Sequence, residues 1–137
     1  MSTKVQCHCG AVQVEISGEP LVQLYCHCED CQAAHGAAYV PISIYPAAAV
    51  NVTQGTLTWW TLKRTPRASC SACGTRIVNE PVGRGIRGVI GYLLPKGTFK
   101  PTLHIQCQGA NLPVRDGLPH VKAFPAAFGG SDETVDW

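Results

Sequence analysis

Seven of the eight cysteines stand in short groups whose spacing is typical of metal ligands. One set joins a Cys-x-Cys pair to a distant Cys-x-x-Cys pair and comprises Cys7, Cys9, Cys70 and Cys73. Four sulfur ligands form a closed, tetrahedral zinc site of the structural kind, and Gly74 allows the backbone to turn tightly beside it. We predict a structural zinc that ties the beginning of the chain to its middle. The alternative is four buried thiols packed as small apolar groups.

The second set offers three sulfurs within six residues: Cys26, Cys28 and Cys31. Three protein ligands with one open position are the arrangement of a catalytic zinc. The open position could hold water, a substrate thiol or a protein side chain, and the protein candidates are His27, His35 and Cys107. His27 stands between two ligands and is expected to point away from the ion. A protein ligand would make this a second structural site, while an iron–sulfur cluster is disfavoured because it usually takes four cysteines.

A zinc ion held by three cysteines predicts chemistry on thiols and carbonyl groups. A thiol bound to zinc loses its proton readily, and the thiolate is the nucleophilic form. Zinc also polarises carbonyl oxygens as a Lewis acid. We therefore predict that Cys26, Cys28 and Cys31 are the catalytic residues and that zinc is the cofactor. The sequence identifies no general acid or base.

Short strands separated by turns must position these cysteines. Strands are predicted at 10–17, 22–28, 39–45, 56–63, 76–79, 87–94 and 102–106. Residues 29–35 are predicted to form a short helical turn ended by Gly36, so that Cys26 lies on a strand while Cys28 and Cys31 begin the helix. This pattern predicts a mainly β, antiparallel fold with at most one or two short helical turns.

Length and composition fit one globular domain. The chain has 137 residues, of which 45% are hydrophobic, and we predict a single domain over residues 1–137 with a loop-like tail at 108–137. No apolar run is long enough to span a membrane, and the beginning of the chain has no signal-like apolar stretch. We therefore expect a cytoplasmic protein with reduced thiols. In an oxidising compartment the cysteines would form disulfides instead.

The charge balance gives no reason to expect a nucleic-acid partner. The formal net charge is +2 when every thiol is neutral. If seven cysteines are thiolates bound to two Zn²⁺ ions, seven negative and four positive charges are added, and the net charge falls by three to about −1. The basic residues are also scattered rather than arranged in a stripe. We expect neither a nucleic acid nor a membrane as partner.

Three cysteine motifs, in this order and spacing, resemble the glutathione-dependent formaldehyde-activating enzyme (GFA) family, whose domain is shared with centromere protein V. The motifs are Cys7-His8-Cys9-Gly10, Cys26-His27-Cys28-Glu29-Asp30-Cys31 and Cys70-Ser71-Ala72-Cys73-Gly74. The resemblance is strongest over residues 5–104, with a weaker echo at Asp116-Gly117-Leu118-Pro119. Relatives usually carry a Trp shortly after the strand that matches 102–106, whereas residues 111–114 here have no aromatic side chain.

The resemblance implies a fold, a metal content and an activity. The fold would be a Mss4-like β-tent of packed antiparallel sheets with zinc-binding loops. Two zinc ions per chain are implied, a structural one at Cys7, Cys9, Cys70 and Cys73 and an active-site one at Cys26, Cys28 and Cys31. The activity would be that of a carbon–sulfur lyase, for which glutathione and formaldehyde give S-hydroxymethylglutathione. The partner would be a small-molecule thiol or thiol–aldehyde adduct, with glutathione as one candidate.

Two other classes of function are compatible with the cysteines. An interaction module would use both zinc ions to hold the fold and a surface to bind a protein. A redox or metal-buffering protein would use the cysteine-rich centre itself. An accessible position at the second zinc would distinguish the enzyme from the module.

Apart from the cysteines, few residues indicate a functional role from the sequence alone. His104 lies in an apolar strand and is expected to be a packed, hydrogen-bonded core residue. Arg64 and Arg67 precede the second cysteine pair of the first set and are candidates for holding a substrate carboxylate. His8 and His120 carry no usable signal.

Overall fold

A computed structural model describes all residues, Met1–Trp137, as two β-sheets with one short helix. The strands are β1 Ser2–Gln6, β2 Gln13–Ser17, β3 Val22–Cys26, β4 Val40–Pro46, β5 Val50–Gln54, β6 Leu57–Thr61, β7 Pro66–Cys70, β8 Arg76–Asn79, β9 Ile86–Ile90 and β10 Leu103–Ile105. Helix α1 spans Glu29–His35, and 3₁₀ turns occupy Ala47–Ala49, Gly91–Leu93, Cys107–Gly109 and Ala126–Phe128. The predicted mainly β fold is confirmed, with several 3₁₀ turns beyond the expected helical content. None of the helices combines the length and apolarity that a membrane span requires.

The strands form two sheets, and the strands that end at Cys26 and Cys70, β3 and β7, lie apart in the larger one. The smaller sheet has the order β1-β2-β5, and the larger one has the order β10-β3-β4-β9-β8-β7-β6. All strand pairs are antiparallel except β10 with β3, where His104 lies opposite Tyr25. This parallel pair is an exception to the antiparallel prediction. It forms because the irregular segment before β10 returns the chain to the starting end of β3.

Three of the ten strands, β1, β5 and β7, were not predicted from the sequence. β1 has one buried residue, Val5, which pairs with Val14 of β2. β7 is small and polar in sequence, yet Arg67, Ala68 and Ser69 are all buried. Because β7 is covered on both faces, no polar side marks it as a strand. The third of these, β5, lies at the edge of the small sheet and is mostly exposed.

The buried apolar residues form two cores, and each borders one cysteine set. The first core joins the small sheet to β7, β8 and β9, and it contains Val14, Ile16, Ile77 and Val89 together with Cys7 and Cys70. The second lies on β3, β4 and β10, and it contains Leu24, Ile42 and Ile105 together with Cys26 and Cys31. Each set of sulfurs is therefore supported by a packed core on one side.

Candidate metal centres

The four-cysteine set comes together where the two sheets meet. Cys7 follows β1, Cys70 ends β7, and all four sulfurs lie within 4.8 Å of one another. The sulfur of Cys9 is 3.5 Å from that of Cys7 and 3.9 Å from that of Cys70. Tetrahedral coordination at 2.3 Å places sulfurs about 3.8 Å apart, whereas a disulfide bond is about 2.05 Å long. All eight cysteines are free thiols, and this set has the spacing of a zinc site.

Backbone donors support these sulfurs. The Val12 N–H donates to Cys7 Sγ at 3.2 Å, and the Cys73 N–H donates to Cys70 Sγ at 3.5 Å. Gly74 has a φ of 77°, in the left-handed region that glycine adopts without strain. Hydrogen bonds of this kind favour the thiolate, which is the metal-binding form.

The three-cysteine set lies at the junction of β3 and α1. Cys26 ends the strand, Cys28 caps the N-terminus of the helix, and Cys31 lies in its first turn. Their sulfurs are within 4.8 Å of one another, and Cys28 Sγ accepts a hydrogen bond of 3.2 Å from the Cys31 N–H. Cys26 and Cys31 are buried and Cys28 is half-buried. Cys28 therefore gives this cluster its contact with solvent.

The chemistry of the donor set fits a doubly charged cation. Hydrogen bonds from the thiols of Cys26 and Cys31 lower the pKa of Cys28 to about 2. The hydrogen bonds that Cys26 makes to its two neighbours, together with its burial, raise the pKa of Cys26 well above the ordinary value. Three thiols this close cannot all ionise unless a cation compensates their charge. The three residues therefore have the properties of a metal site.

No other side chain completes the three-cysteine set. His27, His35 and Cys107 place no ligand atom within 4.8 Å of all three sulfurs. His27 turns away, and its Nε2 lies 2.8 Å from Nδ1 of His104. Burial raises the pKa of Cys107 to about 11, so this thiol stays protonated. The protein supplies three ligands at this position.

Arg67 also belongs to this site, although the sequence did not indicate this role. In the sequence it is one candidate for holding a substrate carboxylate at the surface, but it is only 2% exposed. Its Nη2 donates to Cys31 Sγ at 3.5 Å and lies 3.4 Å from Oδ2 of Asp30. Arg67 thus balances the negative charge of the cysteine cluster and of Asp30. Its role could not be read from the sequence because it depends on the burial of β7.

A shallow depression of about 510 Å³ runs along the exposed side of α1. It is lined by Glu29, Gln32, Ala33, Gly36, Ala37, Ala38 and Asn111. Gln32 Nε2 donates to the carbonyls of His27 and Gly109, and its Oε1 accepts from Asn111 at 2.6 Å. Gln32 thereby joins the helix to the loop after β10. Two of its lining residues, Glu29 and Gln32, directly follow Cys28 and Cys31 in the sequence, but none of the cysteines lines the depression.

Comparison with protein families identifies the group to which this arrangement belongs. The family model described as "Glutathione-dependent formaldehyde-activating enzyme" (GFA) matches residues 2–109. The chain belongs to the GFA family. The matched range includes all seven clustered cysteines, Arg67 and His104, whereas Asp116 and His120 lie beyond it.

This GFA family member also has a structural relative. A crystal structure of a Rhodobacter sphaeroides protein is similar, with 24% sequence identity and a TM-score of 0.56, over 68% of this chain and 88% of that chain. At this identity the likeness concerns the fold, and it agrees with the predicted fold class. No curated protein matches the chain.

Proposed function

We propose that this GFA family member is a zinc-dependent carbon–sulfur lyase that acts on a small thiol–aldehyde adduct. The observation that carries the proposal is the cluster of Cys26, Cys28 and Cys31, which gathers three sulfurs with no fourth protein ligand. In the addition direction, a bond forms between the thiol sulfur and the aldehyde carbon, and the thiol proton is transferred to the aldehyde oxygen. The lyase direction reverses these changes.

The proposal assigns a different role to each of the two cysteine sets. Cys26, Cys28 and Cys31 would hold the active-site zinc, and Cys7, Cys9, Cys70 and Cys73 would hold a structural zinc. When bound at the three-cysteine site, zinc favours the thiolate form of a thiol and polarises a carbonyl oxygen. Arg67 contributes a buried positive charge beside Cys31, and it forms a buried ion pair with Asp30.

The remainder of the substrate would lie in the depression along α1. Asn111 offers an amide to a polar substrate, and Lys63, whose Nζ is 3.4 Å from Glu29, is a cation at its rim. Arg67 is buried against the cysteine cluster and is not free to bind a carboxylate from solvent. If the thiol is glutathione, Lys63 and the exposed Arg64 are the candidate partners of its two carboxylates.

One observation favours a second candidate function, a zinc-stabilised interaction module. Cys26 is 6% exposed and Cys31 is 3% exposed, so the cluster is closed on most sides. A purely structural site would show this degree of burial. The two candidates differ in whether an added thiol reaches the cluster.

Thiol binding tests the proposed function. We expect zinc-loaded protein to bind glutathione or a simpler thiol such as 2-mercaptoethanol, and Cys28→Ser to bind it at least about tenfold more weakly because a ligand of the half-open site is lost. Isothermal titration of both proteins measures the effect. Cys107→Ser is the matched control, since Cys107 is a buried cysteine outside both clusters, and it should bind like the native protein.

A companion assay examines the reaction itself. Formation of the hydroxymethyl adduct from ¹³C-formaldehyde and the bound thiol can be followed by NMR, and we expect it to be faster with native protein than with Cys28→Ser. Thiol binding that is absent in the native protein, or unchanged by the substitution, would remove the enzyme proposal and favour the interaction module.

A further inference from the structure

A third group of metal-ligand side chains lies outside both cysteine sets. His104, Asp116 and His120 each offer one ligand atom, and these atoms all lie within 4.8 Å of one another. Nε2 of His104 is 2.8 Å from Oδ2 of Asp116. The proposed thiol chemistry does not use these three residues. Two imidazoles and one carboxylate form a donor set that borderline divalent metals accept.

The backbone determines how the two histidines face each other. The His104 N–H donates to the Pro119 carbonyl at 2.9 Å, and the Val121 N–H donates to the His104 carbonyl at 2.9 Å. His104 and His120 are thereby paired as neighbours in a short parallel bridge. Paired residues of a β-ladder direct their side chains to the same face. The arrangement is therefore held by the fold and does not depend on flexible side chains meeting by chance.

Hydrogen bonding around the group leaves one nitrogen without a partner. Nε2 of His120 is buried and makes no hydrogen bond. A buried polar atom without a partner is unfavourable, and coordination to a cation is one way to satisfy it. Nδ1 of His104, on the opposite side of its ring, is 2.8 Å from Nε2 of His27. In metal-binding histidines a hydrogen bond from the second ring nitrogen orients the ring, and the nitrogen of His27 is in position to accept it here.

We propose that His104, Asp116 and His120 form a third metal site, which binds a divalent transition-metal ion such as Zn²⁺ or Co²⁺ through two imidazole nitrogens and a carboxylate. The Asp116 side chain is 32% exposed and provides the route by which the ion enters. The Trp137 ring packs against that of His120, with the ring centroids 4.2 Å apart. The site binds more weakly than the cysteine sites, since it offers three ligands and no thiolate.

Cobalt titration of the full chain tests this site. The protein is first loaded with two equivalents of zinc, which fill the thiolate sites, and is then titrated with Co²⁺. We expect one further equivalent to bind and to show visible d–d absorption without the sulfur-to-cobalt charge-transfer band that thiolate ligation produces. The same equivalent should raise the melting temperature, because a ligand that binds only the folded state stabilises it.

Three variants separate a metal site from a merely structural hydrogen bond. His120→Phe keeps an aromatic ring against Trp137, and Asp116→Asn keeps an oxygen that accepts a hydrogen bond from His104. We expect both to retain two zinc ions and a cooperative melt, but to bind Co²⁺ roughly 100-fold more weakly or not at all, since removing a ligand exceeds the effect of removing an outer-shell partner. His8→Gln, at an exposed histidine, should bind Co²⁺ like the native protein.

Two results would overturn the third site. One is a zinc-loaded native protein that takes up no Co²⁺, or takes it up only with the sulfur charge-transfer band. The other is an affinity for Co²⁺ that is the same in His120→Phe and Asp116→Asn as in the native protein. Neither result would bear on the thiol chemistry proposed for the cysteines, because the two sites share no residue.

Discussion

Cys70→Ser is expected to leave the protein largely unfolded at room temperature. Cys70 is buried in the first core, and the four-cysteine site connects the small sheet to the large one. Zinc binding at sites of this kind contributes about 10–16 kcal/mol in small zinc domains. A whole domain is stable by only about 5–15 kcal/mol. The free energy lost with this site is therefore comparable to the whole free energy of unfolding of the domain.

The measurement is zinc content together with thermal unfolding followed by circular dichroism. Cys28→Ser should lose one zinc and keep a cooperative melt, because the second core remains packed around Leu24 and Ile42. Cys107→Ser controls for the loss of a buried thiol, and we expect it to keep both thiolate-bound zinc ions. Equal losses of thermal stability in Cys70→Ser and Cys28→Ser would contradict the division into a structural and an active-site zinc.

Arg67→Met is expected to lower the free energy of unfolding by about 3–5 kcal/mol, since it breaks a buried ion pair by removing one partner. The side chains of Arg67 and Asp30 are 3% and 6% exposed, so water cannot replace the lost partner. The substitution also removes the cation beside Cys31. We therefore expect weaker retention of zinc at the three-cysteine site in addition to the loss of stability.

A double-variant cycle in chemical denaturation checks this prediction. The double variant Asp30→Asn with Arg67→Met should regain part of the stability, because the unpaired carboxylate is gone. Arg64→Met is the matched control at an exposed arginine of the preceding turn, and its effect should stay within about 0.5 kcal/mol. An Arg67→Met variant as stable as Arg64→Met would show that the buried pair does not support the site.

Local features of the sequence were enough to predict much of this structure. The cysteine spacings identified both thiolate sets, because ligands that share a knuckle or a helix turn must lie a few residues apart. Residues 29–35 form the predicted helix, which ends at Gly36 in the left-handed conformation. Residues 76–79 form the predicted strand. These elements depend on neighbours in sequence, and their signals are therefore visible in a single chain.

Other elements depend on burial that no local pattern records. β7 is covered on both faces, so that its small and polar residues show no alternation, and the position of Arg67 was missed with it. The parallel pairing of β10 depends on the path of the segment before it. Asp116 and His120 lie in a segment that was expected to be a loop-like tail. They meet His104 only because that segment folds back along β10.

The sequence by itself determined which residues can bind metal and most of the strands that carry them, since ligand type and spacing are properties of the chain. The tertiary structure decided which side chains surround those ligands. It placed Arg67 against Cys31, turned His27 away from the sulfurs toward His104, and left the three-cysteine set without a fourth ligand. Contacts of this kind join residues far apart in the sequence, and they form only when the two sheets and the returning segment have packed.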